Sequence, residues 1–238
     1  MSATASVRLR STSRLAVASA AALVLALTGC GSSSSSAPKV TKLSSTKAKS
    51  AMLSLDNVGS TFTVDDTADH STPSPGCLTA IDDITDKIDA PTTEDVDYQS
   101  TSESSFPLIS SQVASYGTVA AAKKKVDAFR TAIHTCTSVA ETDDSGVFTK
   151  LTVTTNDEKA SAKDDDEVNV KAVGAISQDS QQTPLGVYFA VIREANSLAI
   201  VEIGDLTQDA PANGEALVTL ARARLAAVIK GSDPDRVS

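Results

Sequence analysis

The side chains in this 238-residue chain that could do chemistry are three cysteines, two histidines and thirty carboxylates. A serine hydrolase needs a base beside its nucleophile, and only His70 and His134 could serve as that base. His70 falls in a loop rich in serine and proline, and His134 falls on the polar side of a predicted helix. The sequence also has no G-x-S-x-G motif. We therefore expect both histidines to be solvated surface residues rather than catalytic bases.

A run of four acidic residues, Asp164 to Glu167, offers oxygen ligands of the kind that hard cations prefer. The run lacks the alternating spacing and the central glycine of an EF-hand loop, so it cannot wrap a calcium ion in that manner. A zinc site would need several histidine or cysteine ligands, and the chain has few of either. The sequence therefore predicts a solvated acidic loop, no metal site and no cofactor.

Cys30 stands at the end of an N-terminal targeting segment. Three arginines precede a 13-residue apolar run, which begins at Leu15 and ends at Leu27. This pattern is typical of a secretory signal, and the run is shorter than the roughly 20 residues that span a bilayer. The residues Leu27-Thr28-Gly29-Cys30 resemble the bacterial lipobox. That resemblance implies cleavage before Cys30 and its acylation with diacylglycerol and palmitate; the alternative is an ordinary signal peptide with an incidental cysteine.

The other two cysteines, Cys77 and Cys136, would then lie outside the membrane, in an oxidising compartment. A pair of cysteines in such a compartment usually forms a disulfide. Closing a loop of this length would stabilise the fold by about 4 kcal/mol in the chain-entropy model. Two free, buried thiols are the alternative.

Cleavage before Cys30 leaves 209 residues, which favours one domain and a tether. We expect a signal peptide over residues 1–29 and a Ser- and Lys-rich linker, disordered, over residues 30–50. We expect a folded domain over residues 51–232, followed by a short tail over residues 233–238.

Charge is distributed unevenly along the mature chain, which has 18 basic and 30 acidic residues and a net charge of −12. The linker holds four lysines and no acid, so the remainder carries a net charge of −16. A domain with this much negative charge is expected to be repelled by nucleic acid and by anionic lipid head groups. The lysines of the linker are expected to be attracted to anionic lipid. Five Phe, three Tyr and no Trp also argue against a nucleic-acid or sugar-stacking surface. We expect a membrane partner and no nucleic-acid partner.

Hydrophobic periodicity predicts the helices. Short helices are expected near Met52–Leu55 and over Leu78–Ile88. A long helix opens at Thr118, a plausible N-cap, and its apolar stripe ends at Cys136. A final helix is expected from about Asn213 to Lys230, ended by Gly231 and Pro234.

Alternation of polar and apolar residues predicts six strands. They fall near residues 96–98, 107–116, 147–153, 168–172, 185–192 and 198–203. The last two are apolar on both faces, which places them at the centre of the sheet. The order of elements predicts an α+β domain, an antiparallel sheet with two long helices packed on it.

Glu202 lies between Val201 and Ile203 on a predicted central strand, where a carboxylate needs a partner. Arg193, on the preceding strand, is the candidate. We expect a structural ion pair or a solvent-facing position at the sheet edge, and part of a ligand cleft is the alternative that the residues leave open.

Several short motifs resemble the actinobacterial sensor-domain lipoproteins, whose extracytoplasmic domain is similar to the PknH-like sensor domain of a mycobacterial Ser/Thr kinase. The motifs are the segment from Ala51 through Gly59 to Phe62, the pair Cys77-Leu78, the helix ending at Cys136, and Val191–Asn196 before LAIVEI. The resemblance covers roughly residues 50 to 230. It implies a ligand-sensing or interaction domain with a cleft and without enzymatic activity. Kinase sensor domains of this type carry two disulfides, whereas this chain can form only one.

We therefore expect a lipoprotein anchored to the extracytoplasmic face of the cell membrane through Cys30. Its non-catalytic domain would bind an unknown small ligand or an envelope protein. One alternative is a carrier of lipid or glycolipid, which would require a large apolar cavity between sheet and helices. A cell-wall hydrolase is a weaker alternative, because the chain is short of histidines and catalytic motifs.

Overall fold

The computed structural model describes residues 40–68, 73–102, 106–157, 166–207 and 214–237. They belong to one compact unit, Pro38–Ser238. The predicted signal peptide, the lipidation site at Cys30, residues 31–39 of the linker, His70 and the first two acids of the Asp164–Glu167 run lie outside the described residues.

The centre of the unit is one antiparallel sheet of eight strands in the order β1-β2-β3-β8-β7-β6-β5-β4. The strands are β1 Phe62–Val64, β2 Thr92–Ser100, β3 Leu108–Ser115, β4 Ser138–Thr142, β5 Phe148–Asn156, β6 Asp166–Gln178, β7 Gln181–Glu194 and β8 Ser197–Asp205. The sheet confirms the predicted α+β class. It contains two strands that the sequence did not predict, β1 and β4. The first has only three residues and the second buries only Val139, so neither gives a clear alternating pattern.

Five α-helices accompany the sheet in the described residues: α1 Ser45–Ala51, α2 Leu55–Val58, α3 Thr79–Thr85, α4 Val119–Ile133 and α5 Gly214–Ile229. The Thr118 hydroxyl accepts a hydrogen bond from the Ala121 amide at 3.2 Å, so Thr118 is the N-cap of α4, as predicted. Gly231, with φ of 74°, follows α5 and closes its last turn. None of the helices in the described ranges is long and apolar enough to cross a bilayer.

Helices cover both faces of the sheet. On one face, α4 and α3 pack over alternate residues of the central strands, including Phe189, Val191 and Ile200. On the other face, α5 and α1 pack over the residues between them, including Tyr188, Ile192 and Val201. The β7–β8 pair is therefore buried on both sides, which confirms its predicted central position.

The N-terminal part of the unit differs from the prediction, because the last residues of the expected disordered linker are folded. Helix α1 occupies residues 45–51, with Ser44 as its N-cap and with Ala48 and Ala51 fully buried. Leu43, before the helix, is also buried, and its amide donates to the Ser115 hydroxyl at 3.0 Å. Serine, lysine and alanine give the composition of a linker, but two alanines spaced by three residues present a small apolar stripe that packs on the sheet.

The C-terminal residues also differ from the predicted tail. Pro234–Arg236 form a short 3₁₀ helix. The Pro234 carbonyl and the Asp235 carboxylate accept hydrogen bonds from the Arg224 guanidinium of α5, at 3.2 and 2.9 Å. The folded unit therefore reaches beyond residue 232.

Candidate functional site

A cleft of about 540 Å³ lies between α3 and one face of the sheet. Residues from three strands form its floor, and residues of α3 and its flanks form its wall. The lining residues are Ser74, Ile81, Asp82, Thr85, Asp86, Ile88, Thr93, Asp95, Ser110, Gln112, Ile200 and Glu202.

The wall follows from the amphipathic pattern of α3. Ala80, Ile81 and Ile84 are buried, which turns the acidic side of the helix away from the core. Asp82 is held in place at the cleft, because its carboxylate accepts the Ser74 amide at 2.9 Å and the Ser74 hydroxyl at 2.6 Å.

The floor follows from the alternation of side chains along β2, β3 and β8. Asp95 of β2 pairs in register with Gln112 of β3, and Ser110 of β3 pairs with Glu202 of β8. Because paired residues of an antiparallel sheet point to the same face, these four side chains are neighbours on the floor of the cleft.

Two polar atoms at the cleft are buried without a hydrogen-bond partner. The Gln112 side chain donates through Nε2 to the Thr85 carbonyl at a long 3.4 Å, while its Oε1 has no partner. The Thr93 hydroxyl is also without one. A buried polar atom that lacks a partner is unfavourable, so a ligand that reached these atoms would gain by bonding to them.

Carboxylates dominate the charge of the cleft. Among the lining residues that the structure describes, four are acidic and none is a lysine, arginine or histidine. A smaller cavity of about 310 Å³ shares Ser110 and Glu202 with it and adds Asp65 and Asp97. The two cavities together form one acidic surface, which favours ligands with positive charge or with several hydrogen-bond donors.

Two of the three lysines of α4 are engaged with other carboxylates. Lys123 Nζ lies 2.6 Å from Asp127 and lowers the pKa of that carboxyl below its ordinary value. Lys125 Nζ lies 2.9 Å from Asp89 and likewise lowers the pKa of Asp89. Neither of these two lysines lines the cleft, so they do not balance the negative charge of the cleft.

Of the two predicted site residues in the sheet, Glu202 lies at the cleft and Arg193 does not. The register pairs Glu202 with Phe189 and Arg193 with Leu198. Glu202 and Arg193 are therefore four residues apart along the strands, or about 13 Å. The predicted Arg193–Glu202 ion pair is therefore wrong. Arg193, 3% exposed, instead donates through Nε to Asp166 at 2.8 Å.

The described half of the acidic run is not a solvated loop, contrary to the prediction. Asp166 and Glu167 are the first residues of β6. Asp166 pairs with Arg193, and Glu167, which is buried, pairs with Arg222 of α5. These arginines are distant in the sequence, which is why composition alone predicted solvated carboxylates. In the part of the chain that the structure describes, no three histidine, cysteine or acidic side chains are placed to hold a metal ion.

Cys77 and Cys136 form the disulfide that the sequence predicted, with their Cα atoms 5.6 Å apart. Cys77 lies in the turn before α3 and Cys136 lies three residues beyond the end of α4. The bridge therefore joins the wall of the cleft to the helix that packs on the central strands. His134, which the sequence predicted to be a solvated surface residue, is exposed at the C-terminal end of α4.

Two tyrosines beside the floor strands are buried, and burial raises the pKa of both. Tyr98 donates its hydroxyl to the Leu53 carbonyl at 2.9 Å, and the pKa of Tyr98 lies above its ordinary value. The hydroxyl of Tyr116 is buried without a partner, and the pKa of Tyr116 is raised to about 12. Both side chains are therefore neutral over the physiological range of pH.

Sequence reasoning identified Glu202 and the disulfide but missed most of the cleft. The residues on β2 and β3, such as Asp95 and Gln112, carry no motif. The available signal was the alternation of polar residues in strands that must bury one face: Asp95 and Asp97 on one strand, Ser110 and Gln112 on the next. Their convergence with α3 depends on the strand order, which the sequence did not reveal.

Comparison with family models gives no match, and comparison with curated protein sequences also gives none. Among solved structures, the chain is similar to the extracellular domain of PknH from Mycobacterium tuberculosis. The TM-score is 0.57 at 9% sequence identity, and the match covers 81% of this chain and 100% of the PknH domain. The similarity confirms the resemblance drawn from the sequence at the level of the fold: this chain carries a domain with the fold of the PknH extracellular domain.

Proposed function

We propose that the chain is an extracytoplasmic lipoprotein whose non-catalytic, sensor-like domain binds a small polar ligand in the acidic cleft. The cleft between α3 and strands β2, β3 and β8 is the observation that carries the proposal. A volume of about 540 Å³ falls within the range of small-molecule sites.

The chemistry of the lining favours a ligand that donates hydrogen bonds or carries positive charge. The acidic side chains act as acceptors when ionised, and the Gln112 carbonyl oxygen is a further acceptor without a partner. An ammonium or guanidinium group would gain charge-assisted hydrogen bonds from such a site. An acyl chain would gain none and would desolvate the carboxylates at a cost, so the cleft favours a receptor of polar ligands over a lipid carrier.

The place of the protein in the cell follows from the lipobox-like motif, and the extracellular origin of the similar PknH domain supports it. We expect the Cys30→Ala variant to leave the membrane fraction and to accumulate in the medium, with no acyl mass on the protein. A variant that stayed in the membrane fraction would contradict lipid anchoring through Cys30.

Ligand binding is tested by native mass spectrometry of the secreted Cys30→Ala form, purified without organic solvent from a related host. We expect a discrete added mass that is released by organic extraction. The double variant Asp86→Asn, Asp95→Asn should lose this mass, because it removes two carboxylates from the cleft.

The matched control is Asp144→Asn, Asp179→Asn, which changes the net charge equally at two exposed turn residues. The control should keep the added mass. Retention of the mass by the cleft variant would place the ligand elsewhere. If all three proteins, the secreted form and both double variants, showed only the mass of the protein, the proposal of a small ligand would be contradicted and a protein partner would be favoured.

A further inference from the structure

We propose that the Cys77–Cys136 disulfide is a redox control on the cleft, and that its reduction releases the α3 wall while the rest of the fold stays intact. The proposal rests on the assignment of the cleft as the ligand site, and it adds how that site would be regulated.

Helix α3 is too short to be stable by itself. The helix has seven residues, and an isolated helix of that length is unstable in water. Its position therefore depends on its attachments to the rest of the domain. Three of its residues, Ala80, Ile81 and Ile84, pack in the core beneath α4.

Among the described residues, α3 has few polar attachments to the sheet. The bond from Gln112 to the Thr85 carbonyl is long, at 3.4 Å. The bonds that Asp82 accepts come from Ser74, which belongs to the same segment and does not tie α3 to the sheet. The disulfide at Cys77 is thus the cross-link that fixes the start of this wall to the segment after α4, whereas the end of the wall continues along the chain into β2.

The two sulfur atoms of the disulfide differ in their access to solvent. Cys77 is partly exposed, whereas Cys136 is 2% exposed and belongs to the core. An external thiolate would therefore attack the sulfur of Cys77, forming a mixed disulfide and releasing the Cys136 thiolate, which takes up a proton. When the reductant is a dithiol, its second thiol attacks the mixed disulfide, and Cys77 leaves as a thiol. The dithiol becomes a disulfide, and two electrons and two protons pass to the two protein sulfurs.

The consequence for the cleft follows from its lining. Ile81, Asp82, Thr85 and Asp86 are supplied by α3 and the residue that follows it. The central strands and α5 have their own apolar packing on the other face of the sheet. Release of α3 removes the wall of the cleft and leaves the floor exposed.

The test is hydrogen exchange measured by mass spectrometry on the mature Cys30→Ala chain, oxidised and after reduction with dithiothreitol. We expect peptides covering residues 76–88 to lose nearly all of their protection after reduction, because α3 is released without unfolding of the domain. Peptides from the buried parts of β7, β8 and α5 should stay protected, and their exchange should speed up by no more than about 10³-fold, which is what the loss of the cross-link from the unfolded chain allows. The double variant Cys77→Ser, Cys136→Ser should give the reduced pattern without any reductant.

Unchanged protection of residues 76–88 would overturn the proposal, because α3 would then be held without the disulfide. Loss of nearly all protection from β7, β8 and α5 as well would also overturn it, since the bridge would then be needed for the whole fold. Hydrogen exchange needs no ligand, so its result is independent of the mass measurement above. Absence of a bound mass would refute ligand binding, whereas a rigid α3 after reduction would refute redox control alone.

Discussion

Helices α1 and α3 are both seven residues long, yet they meet the sheet in different ways. Helix α1 packs directly on β2 and β3. Helix α3 stands over the opposite face of the same strands, and a cleft separates much of it from them. Neither helix is long enough to be stable alone, so the difference lies in how each is attached.

The segment that contains α1 is held by hydrogen bonds at both ends. Before the helix, the Leu43 amide donates to Ser115 and its carbonyl accepts from Thr92, both at 3.0 Å. After the helix, the Leu53 amide donates to the Ser111 hydroxyl at 3.1 Å and the Leu53 carbonyl accepts from Tyr98. The buried Arg224 adds bonds to two more carbonyls, those of Ser50 and Met52.

The segment that contains α3 is held differently at its two ends. A disulfide fixes the end before the helix, and an exposed ion pair between Asp89 and Lys125 lies beyond the other end. Helix α1 lies directly against the sheet because buried hydrogen bonds to backbone atoms hold both of its ends. Helix α3 is held by the disulfide at one end and by an ion pair that solvent screens at the other. This weaker attachment is compatible with a cleft between α3 and the sheet.

The largest effect is expected when the covalent tie is removed. The double variant Cys77→Ser, Cys136→Ser should lower the free energy of unfolding by about 4 kcal/mol, because its unfolded chain is no longer constrained by the cross-link. Urea denaturation of the oxidised wild type and the variant measures this difference. The control is the wild type in reductant, whose free energy of unfolding should equal that of the variant. If the variant lost less than about 1 kcal/mol, the chain-entropy explanation would be contradicted.

A somewhat smaller effect is expected when the main tie of α1 is removed. Arg224→Met keeps much of the side-chain volume but leaves the carbonyls of Ser50 and Met52 without their donor. We expect a loss of about 3 kcal/mol, again measured by urea denaturation. Arg236→Met is the control, because Arg236 is highly exposed and pairs only with Asp233; it should cost less than about 0.5 kcal/mol. Equal losses for the two variants would show that Arg224 does not hold α1.

Two adjacent residues of β3 allow the two faces to be compared directly. Ser111→Ala removes the acceptor of the buried Leu53 amide, so we expect a loss of about 1–2 kcal/mol. Gln112→Ala removes only the long bond to Thr85 on the α3 side, together with an acceptor that has no partner. We expect that variant to lose less than about 0.5 kcal/mol. The reverse order of the two losses would contradict the view that α1 is the more firmly bonded helix.

These attachments also mark what the sequence could and could not predict. The stripe from Thr118 to Cys136 and the apolar β7 and β8 follow from periodicity, and the structure agrees with both. The fold of α1 could not be predicted, because its composition is that of a linker and its stability comes from Arg224, more than 170 residues away. The cleft could not be predicted for a similar reason, since it needs strands β2, β3 and β8 to be neighbours. Local patterns predict single elements, whereas the site depends on contacts between distant segments.

The smallest effect concerns the ion pair at the far end of the α3 segment. Lys125 lowers the pKa of Asp89 below its ordinary value, chiefly through the hydrogen bond between them. A carboxyl group whose pKa is lower in the folded state than in the unfolded state stabilises the fold. The stabilisation is complete at pH values above the pKa of the unfolded state, about 3.9, and it is lost as the pH falls through the pKa of the folded state. In Lys125→Met, the pKa of Asp89 measured by NMR titration should rise toward its ordinary value.

Lys123→Met is the matched control, because Lys123 bonds to Asp127 instead. It should leave the pKa of Asp89 nearly unchanged and raise that of Asp127. If Lys125→Met left the Asp89 titration where it was, the ion pair would not exist in solution. The α3 segment would then rely, at that end, on packing alone. In that case the contrast with α1, whose far end is fixed by the two bonds of Leu53, would be sharper still.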